Sequence, residues 1–512
     1  MTRRHSSSAT SKEEAAVGDK EVVDVRSPHS IEAETVVDDV PVYSDAEYAR
    51  VRRKADFILL PMLMFTYGIQ YMDKTSLTQG VIFGLREDTK ITNQEYANLT
   101  TLFYMAYAVA QFPFTWVMQR FPIGKALSVF VILWGACVMC LGACNNYAQL
   151  AAVRVLVGAF EAVVIPGFVI LTSSWYLRKE QTFRQCLYYS QNQVWGIVAS
   201  VAVYFMAKAA AKAGGIAGWR VIQFFMGGLT IVCGIFDLLL IGTPDEVWWL
   251  KKDEKRIAKA RIATNATGGA EVASWRWEQV RECFRDPQYY FCILFNFLVM
   301  IPNGAFITFN TLIMKSFDFS SFDVIIYSMP SQAIAIFFVI VPGLCVQYYP
   351  KTRFPWALFV TALATAVFLF TGLCPEDTPK WTKWGVYIFS LPFATAMFLI
   401  WPLMSINVAG RTKKTWLTAS SLIAYSAGNI LGSQIFRDPP RYVRGLIGVS
   451  IAMILYMILF VVWWIYYIRE NRRRDRVVAG LGLTPEQQED ERRKAGEQDM
   501  TDVQNIHFRY LC

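Results

Sequence analysis

The run LAAVRVLVGAFEAVVIPGFVIL fills residues 150–171 and contains only two charged residues, Arg154 and Glu161. A helix needs about 20 predominantly apolar residues to cross the hydrocarbon core of a bilayer, so this run is long enough to span a membrane. Comparable runs occur between residues 57 and 468, separated by polar stretches. The pattern predicts an all-α membrane protein with twelve transmembrane helices.

The composition of the whole chain agrees with this interpretation. Hydrophobic residues make up 54% of the 512 residues and charged residues 18%, whereas a soluble protein carries about 25% charged residues. Aromatic residues make up 15%, as expected where Trp and Tyr lie at membrane interfaces. A large soluble enzyme is therefore disfavoured.

Changes in polarity divide the chain into five parts. We predict a disordered cytosolic N-terminal tail, an N-terminal six-helix bundle, a cytosolic central loop, a C-terminal six-helix bundle and a cytosolic C-terminal tail, at residues 1–54, 55–243, 244–288, 289–468 and 469–512. The C-terminal tail is also expected to be disordered, with a short charged helix near residues 486–494.

Basic residues concentrate in alternate loops, for example at Arg120 and Lys125 after the second predicted span and at Lys413 and Lys414 before the eleventh. Loops rich in Lys and Arg stay on the cytoplasmic side, so this bias predicts that both termini are cytosolic. Because the basic clusters border membrane spans, they indicate topology, and we expect no nucleic-acid partner.

A faint internal repeat supports two related halves. The basic turn QRFPIGK at residues 119–125 follows the second predicted span, and QYYPKTR at residues 347–353 follows the eighth. Transporters built from two parallel six-helix repeats bind their substrate between the repeats, near the middle of the membrane. The repeat therefore places the expected site between the two halves.

Four charges lie inside apolar runs: Asp73 and Lys74 in the first, and Arg154 and Glu161 in the fourth. A charge at the bilayer centre costs about 2.5–3.5 kcal/mol or more, so each one needs a reason. Arg154, Gly158 and Glu161 fall at i, i+4 and i+7 and share one helix face. Gly158 would let a neighbouring helix or a ligand approach that face.

Two interpretations of these charges stay open. In the functional one, Asp73 and Glu161 bind and release protons while Lys74 and Arg154 attract an organic carboxylate, so that protonating an acid frees a cation for the substrate. In the structural one, the charges are ion pairs that hold the first and fourth spans together. Asp237 in the sixth span is a further titratable group, but it stands alone in the sequence.

Polar side chains in other spans could contact a small solute. Amides suit a carboxylate- or urea-bearing solute because they both donate and accept hydrogen bonds. Each is also suited to hydrogen bonding between helices. The candidates are Tyr104, Gln191, Asn192, Asn303, Asn407 and Asn429.

The sequence gives no reason to expect a metal or an organic cofactor. The three histidines, His5, His29 and His507, all lie in the predicted tails, and the ten cysteines show no zinc-binding spacing. No nucleophile elbow of the G-x-S-x-G type occurs in the chain. We therefore expect a protein driven by a proton gradient, and not an enzyme.

Several motifs resemble those of the fungal allantoate permease family, which belongs to the anion:cation symporter branch of the major facilitator superfamily. The resemblance covers roughly residues 50–470. The motifs that carry it are YMDKTSL at 71–77, QFP at 111–113, RFPIGK at 120–125, Arg154 with Gly158 and Glu161, NVAGRTKK at 407–414 and GNILG at 428–432.

The resemblance implies the major facilitator fold, with two six-helix bundles, and proton-coupled uptake of an organic anion such as allantoate, ureidosuccinate, nicotinate or pantothenate. By matching motif it gives the proton roles to Asp73 and Glu161. Lys74 and Arg154 would act on the substrate anion or gate the acids. We expect a monomer in the lipid bilayer of the fungal plasma membrane.

One alternative keeps the fold and reverses the physiology. Asp73 and Glu161 would serve an exporter or antiporter of a metabolite, such as a secondary metabolite, equally well. A membrane sensor is disfavoured because both predicted tails are short and polar.

Overall fold

The computed structural model describes residues 43–177, 180, 184, 187–188, 190–263, 276–436, 439, 441–481, 487, 491 and 500–511. Most of the predicted N-terminal tail, residues 264–275 of the central loop and the predicted charged helix near residues 486–494 therefore lie outside the described residues. Within the described ranges every regular element is a helix.

The twelve predicted spans are present, and the fold is the expected pair of six-helix bundles. We number the spans from the first to the twelfth. Their bounds are Asp45–Ile82, Asn93–Arg120, Ile123–Leu141, Tyr147–Glu161 with Val164–Trp175, Gln191–Ala213, Gly218–Leu240, Pro287–Lys315, Ser321–Tyr348, Arg353–Leu373, Lys380–Tyr387 with Phe393–Ile406, Arg411–Gln434 and Val443–Gly480. Short helices at Leu85–Thr89 and Pro350–Thr352 occupy two of the loops.

In the described part of the chain, eight spans are by themselves long and apolar enough to cross a membrane. The exceptions are the first, second, tenth and eleventh spans. The tenth is interrupted, and the other three carry buried polar side chains, such as Asp73, Gln111 and Asn429. A helix with polar groups on its buried face faces the interior of a bundle, because lipid cannot satisfy those groups.

Prolines explain the two broken spans. In the fourth span the helix is interrupted at Ala162 and Val163, just before Pro166. A proline ring clashes with the carbonyl four residues earlier, here that of Ala162. Pro166 therefore accounts for the interruption of the fourth span. The tenth span was expected to be continuous over 383–408 but is broken between Tyr387 and Phe393, because Pro392 disfavours a helical conformation at the residue before it.

The packing repeats in the two halves. The third span packs on the sixth in the first half, and the ninth packs on the twelfth in the second half. Most of the contacts between the described spans of the two halves come from three pairs: the fifth span with the eighth, the second with the eleventh, and the first with the seventh. The space enclosed by these pairs lies at the centre of the molecule, where the repeat predicted the site.

Both predicted tails differ from the expectation of disorder where the structure describes them. The first helix begins at Asp45, so residues 45–54 are helical. Ser44 caps it: its hydroxyl accepts from the Glu47 amide at 3.4 Å, and the Glu47 carboxylate accepts from the Ser44 amide at 2.9 Å. The last helix continues to Gly480, and residues 500–511 pack against the cytosolic face.

The described part of the central loop contains two helices, Lys252–Ala263 and Trp277–Cys283. The first is tied to the N-terminal half by ion pairs from Lys54 to Glu254 and from Arg261 to Glu180, each at 2.5 Å. The second packs on the eleventh span. Each half therefore carries its own part of the loop.

Candidate functional site

A buried ion pair joins the first span to the fourth. Lys74 Nζ lies 2.8 Å from Glu161 Oε1, and the two side chains are 14% and 0% exposed. Gln70 donates to the same carboxylate oxygen at 2.9 Å. The second oxygen, Oε2, has no hydrogen-bond partner in the described part of the chain. Lys74 and Glu161 thus form the interhelical contact that the sequence predicted.

Asp73 faces a different neighbour from Lys74. Its carboxylate Oδ2 accepts a hydrogen bond of 3.0 Å from the Trp134 indole of the third span, and its side chain is buried. Its other oxygen, Oδ1, has no hydrogen-bond partner among the described residues. Consecutive residues on a helix point about 100° apart. The first span therefore presents its acid to the third span and its base to the fourth.

Arg154 is 5% exposed, and its guanidinium carbon lies 5.9 Å from the Phe103 ring centroid of the second span. Its Nε has no hydrogen-bond partner, and no carboxylate lies within ion-pair distance of it in the described residues. A side chain at Gly158 would collide with the Phe103 carbonyl oxygen. Gly158 therefore allows the close approach of the second and fourth spans that the sequence predicted.

A cavity lies between the two halves, next to these charges. Its lining includes both cations, Lys74 and Arg154, and the phenols of Tyr96 and Tyr104. The Tyr104 hydroxyl is buried and has no hydrogen-bond partner among the described residues. Two cations and a phenol without a partner are groups that bind an anion.

Hydrogen bonds between the halves close this cavity on its outer side. Thr78 of the first span donates to the Ile307 carbonyl at 2.5 Å, and Tyr96 of the second donates to the Thr308 carbonyl at 2.7 Å. Thr311 of the seventh span donates to the Thr78 carbonyl at 3.0 Å. We call Thr78, Tyr96 and these three partners the outer gate. With the N-terminus in the cytosol, as the basic loops predict, the gate lies on the extracellular side of Lys74.

Asn303 and Asn429 lie together but not in the cavity lining. The Asn303 amide donates to Asn429 Oδ1 at 2.8 Å, and the Asn429 amide donates to the Tyr425 carbonyl at 2.9 Å. They join the seventh span to the eleventh, which is the interhelical alternative for these amides. The Tyr425 ring centroid lies 6.2 Å from that of Tyr104, which lines the cavity. The pair of Asn303 and Asn429 therefore lies next to a residue that packs on the cavity wall.

Gln191 and Asn192 occupy the first turn of the fifth span and do not line the cavity. The Gln191 amide donates to the Leu187 carbonyl of the preceding turn at 3.3 Å. The cavity lining contains no residue of the fifth span, so the expectation that Gln191 and Asn192 contact the solute there finds no support in this geometry.

Asn407 was predicted to bind substrate, and the structure places it elsewhere. Its amide donates to the Leu511 carbonyl at 2.9 Å, and its carbonyl accepts from the Leu511 amide at 2.8 Å. Both functional groups are therefore taken up by the C-terminal segment on the cytosolic face. The sequence offered no sign that this distant segment folds back.

Comparison with known proteins identifies the family to which this chain belongs. Residues 63–434 match the family described as the Major Facilitator Superfamily. The chain belongs to this superfamily. It is 32% identical to Uncharacterized transporter C757.13 of Schizosaccharomyces pombe, over 94% of this chain and 91% of the relative. It is 28% identical to Allantoate permease of Saccharomyces cerevisiae, over 91% of this chain and 86% of the relative.

A solved structure shows the same fold. A bacterial homolog of the human lysosomal transporter Spinster, in an inward-facing and unoccupied conformation, superposes with a TM-score of 0.60 at 17% identity, over 82% of this chain and 96% of that chain. The predicted resemblance to the allantoate permease family is confirmed, and this superfamily member is a multi-pass membrane transporter of small molecules, not an enzyme.

Sequence reasoning missed several residues that surround the transporter's charges. Thr78 lies one helical turn beyond Lys74, and Gln70 lies one turn before it, so spacing on the first span could have identified both. Trp134, which binds Asp73, sits in an apolar run with no distinguishing signal. Tyr96 was overlooked because it lies near the start of its span.

The transporter also carries a charge cluster on its cytosolic face. Lys413 Nζ lies 2.9 Å from a Glu282 oxygen, 2.7 Å from Asp286 and 3.0 Å from Asp502. Burial raises the pKa of Asp502 above its ordinary value, and the Lys413 ammonium opposes that rise. The cluster joins the central loop, the start of the seventh span, the start of the eleventh and residues 500–511.

Proposed function

We propose that this transporter carries a small organic anion into the cell together with protons. The observation that carries the proposal is the buried pair of Lys74 and Glu161 beside a cavity that Arg154 also lines. Arg154 makes no ion pair among the described residues but is close enough to Asp73 to interact with it electrostatically, and it stands next to Lys74, whose partner can be neutralised by a proton. This arrangement suits a site that loads an anion and a proton together.

Arg154 is the proposed primary anchor for the anion. Its guanidinium offers a planar set of donors that matches a carboxylate, and such charge-assisted hydrogen bonds are stronger than neutral ones. The Tyr104 hydroxyl supplies a further donor. The printed name of the Saccharomyces cerevisiae relative, Allantoate permease, supports a small carboxylate as the substrate class.

Lys74 and Glu161 are the proposed coupling pair. Protonating Glu161 removes the negative charge that lies 2.8 Å from Lys74 Nζ, and a buried cation without a counter-ion is strongly disfavoured. The substrate carboxylate then replaces Glu161 as the counter-ion. When the anion leaves, Glu161 must ionise again, so the proton leaves with the substrate. Asp73 is the second carboxyl of the proposed site.

The structure corresponds to one step of this cycle. The outer gate is closed and Lys74 is paired with Glu161, which is the arrangement expected after the load has left on the cytosolic side. Uptake then requires the gate to open outward while Glu161 regains a proton.

The proposal includes a monomer in the plasma membrane. An inward proton gradient at the plasma membrane would supply the driving force for accumulation.

The test uses purified protein in liposomes that contain a pH-sensitive dye. A panel of small carboxylates is added outside, and internal acidification is followed. The proposal expects acidification with one class of anion and none in protein-free liposomes. A folded protein that transports an anion of the panel in exchange assays without moving protons would overturn the symport assignment.

A further inference from the structure

A third buried carboxyl of the membrane spans, after those of Asp73 and Glu161, lies outside the cavity near the cytosolic end of the sixth span. Asp237 is 0% exposed. The Thr66 hydroxyl of the first span lies 3.0 Å from Asp237 Oδ1 and 2.9 Å from Oδ2, and Cys233 Sγ lies 3.9 Å from Oδ2. The described residues place no Lys, Arg or His within ion-pair distance of this carboxyl.

The neighbours on the other packed spans bring no charge either. On the third span, Val131 and Ile132 lie against Gly234, and Gly124 lies against Ile241, which brackets the depth of Asp237. Two polar residues lie between these points: Lys125, whose side chain is exposed, and Ser128, whose hydroxyl donates to the Gly124 carbonyl of its own helix at 2.7 Å.

Tyr188 lies just before the fifth span, and its ring packs on those of Tyr67 and Phe168. In the described part of the chain, only Thr66 and Cys233 interact with the Asp237 carboxyl. An ionised carboxyl with no cation is strongly disfavoured in such a place. The Thr66 hydroxyl and the Cys233 thiol donate to this carboxyl, and neither carries a positive charge. Two neutral donors do not compensate a buried negative charge, so the neutral acid is favoured.

Asp237 also lies in line with the central acids. Thr66 and Asp73 are seven residues apart on the first span, so they share a face about 10 Å apart along the axis, with Thr66 on the cytosolic side. On the sixth span, the buried residues Gln223, Thr230 and Asp237 are likewise seven apart. Gln223 lies 3.3 Å from the Ser76 hydroxyl. The first and sixth spans therefore share a polar seam that runs from Ser76 past Asp73 to Asp237.

From this seam we infer that Asp237 is a second proton-binding site, lying between the central carboxyls and the cytosol. The inference rests on the proposed symport and names its release route. Asp237 holds a proton in the outer-closed state. It gives that proton to cytosolic water when the inner side opens, and it is reprotonated from the central site. The distance to Asp73 exceeds one hydrogen bond, so water must enter the seam during this transfer.

The first test detects the proton on the Asp237 carboxyl by spectroscopy and does not depend on a transport measurement. Infrared difference spectra of purified wild type and Asp237→Asn at neutral pH are compared for the carbonyl stretch of a protonated carboxylic acid. The inference expects that band in the wild type and its loss in the variant. If the two spectra are the same in this region, Asp237 is ionised and the inference is overturned, whether or not the protein is a symporter.

The second test separates relay from scaffold. In liposomes, Asp237→Asn and Thr66→Val are expected to lower net proton-driven uptake by about tenfold or more while sparing substrate exchange, which needs no proton release. Thr172→Val removes a buried hydroxyl that binds only its own helix, to the Phe168 carbonyl at 2.6 Å, and serves as the matched control. Normal net uptake in Thr66→Val would overturn the relay even if Asp237→Asn failed to fold. Loss of proton coupling in the wild type itself would instead reject the symport proposal.

Discussion

At the residue scale, the adjacent residues Asp73 and Lys74 contact different helices. The acid binds Trp134 of the third span, and the base pairs with Glu161 of the fourth. This division could be predicted in part, because Arg154, Gly158 and Glu161 share a helix face by spacing alone. The partner of Asp73 could not, because a tryptophan in an apolar run carries no signal of its hydrogen bond.

Arg154 provides the sharpest test at this scale. Arg154→Ala should raise the half-saturating concentration of the anion by about 10- to 100-fold, because a hydrogen bond to a charged group contributes about 1.5–3 kcal/mol. Initial uptake rates over a range of substrate concentrations measure this change. Lys212→Ala, which removes an exposed cation from the end of the fifth span, is the control. An unchanged half-saturating concentration in Arg154→Ala would show that Arg154 does not bind substrate.

Replacement of Lys74 is expected to affect stability as well as binding, unlike replacement of Arg154. Lys74→Ala leaves the carboxylate of Glu161, 0% exposed, without its cation, and breaking a buried pair costs about 3–5 kcal/mol. We expect lower thermal stability in detergent as well as weaker anion binding. The additional change Glu161→Gln should restore much of the stability but not the binding. Equal stability of the single and double variants would show that the ion pair of Lys74 and Glu161 does not stabilise the fold.

At the element scale, the outer gate is built from side chains that bind backbone carbonyls of the opposite half. The double variant Thr78→Val with Tyr96→Phe removes donors to Ile307 and Thr308. Each net hydrogen bond contributes about 0.5–1.5 kcal/mol, so opening should become about tenfold more favourable.

The readout for the gate is the reactivity of a cysteine in the cavity. Thr100→Cys, whose position lines the cavity, is tested with a membrane-impermeant thiol reagent from the outer side, against the parent with its ten native cysteines. The gate variant should react faster. Ser173→Ala removes an exposed hydroxyl of the fourth span and should leave the rate unchanged. Equal reaction rates in the gate variant and in this control would show that these bonds do not hold the outer side shut.

The C-terminal segment is the element that composition predicted least well. Its polar residues resemble a disordered tail, yet Asn407 and Lys413 hold it through specific hydrogen bonds and charges. Lys413→Met leaves three carboxylates facing one another, and removing one partner of a buried pair costs about 3–5 kcal/mol. We expect the melting midpoint in detergent to fall by several degrees. Lys252→Met, which replaces an exposed residue of the central loop, is the control. An equal melting midpoint in both variants would show that Lys413 does not stabilise the packing of the C-terminal segment.

At the scale of the whole molecule, the fold was far more predictable than the site. Apolar length sets the spans, since lipid imposes the same requirement on every one of them. The four intramembrane charges were visible because each is costly in lipid. The amides were ambiguous, since a buried amide is satisfied equally by a neighbouring helix, as in Asn303 and Asn429. Contacts distant in sequence, such as Asn407 with Leu511, leave no local pattern.

Coupling through Glu161 is the central claim, and one measurement tests it most directly. Proton and anion fluxes are measured in the same liposomes for wild type, Glu161→Gln and Asp253→Asn, which neutralises an exposed carboxylate of the central loop. The account predicts that Glu161→Gln loses proton-driven accumulation but keeps anion exchange, while Asp253→Asn behaves as wild type. Undiminished pH-driven accumulation by Glu161→Gln would contradict it.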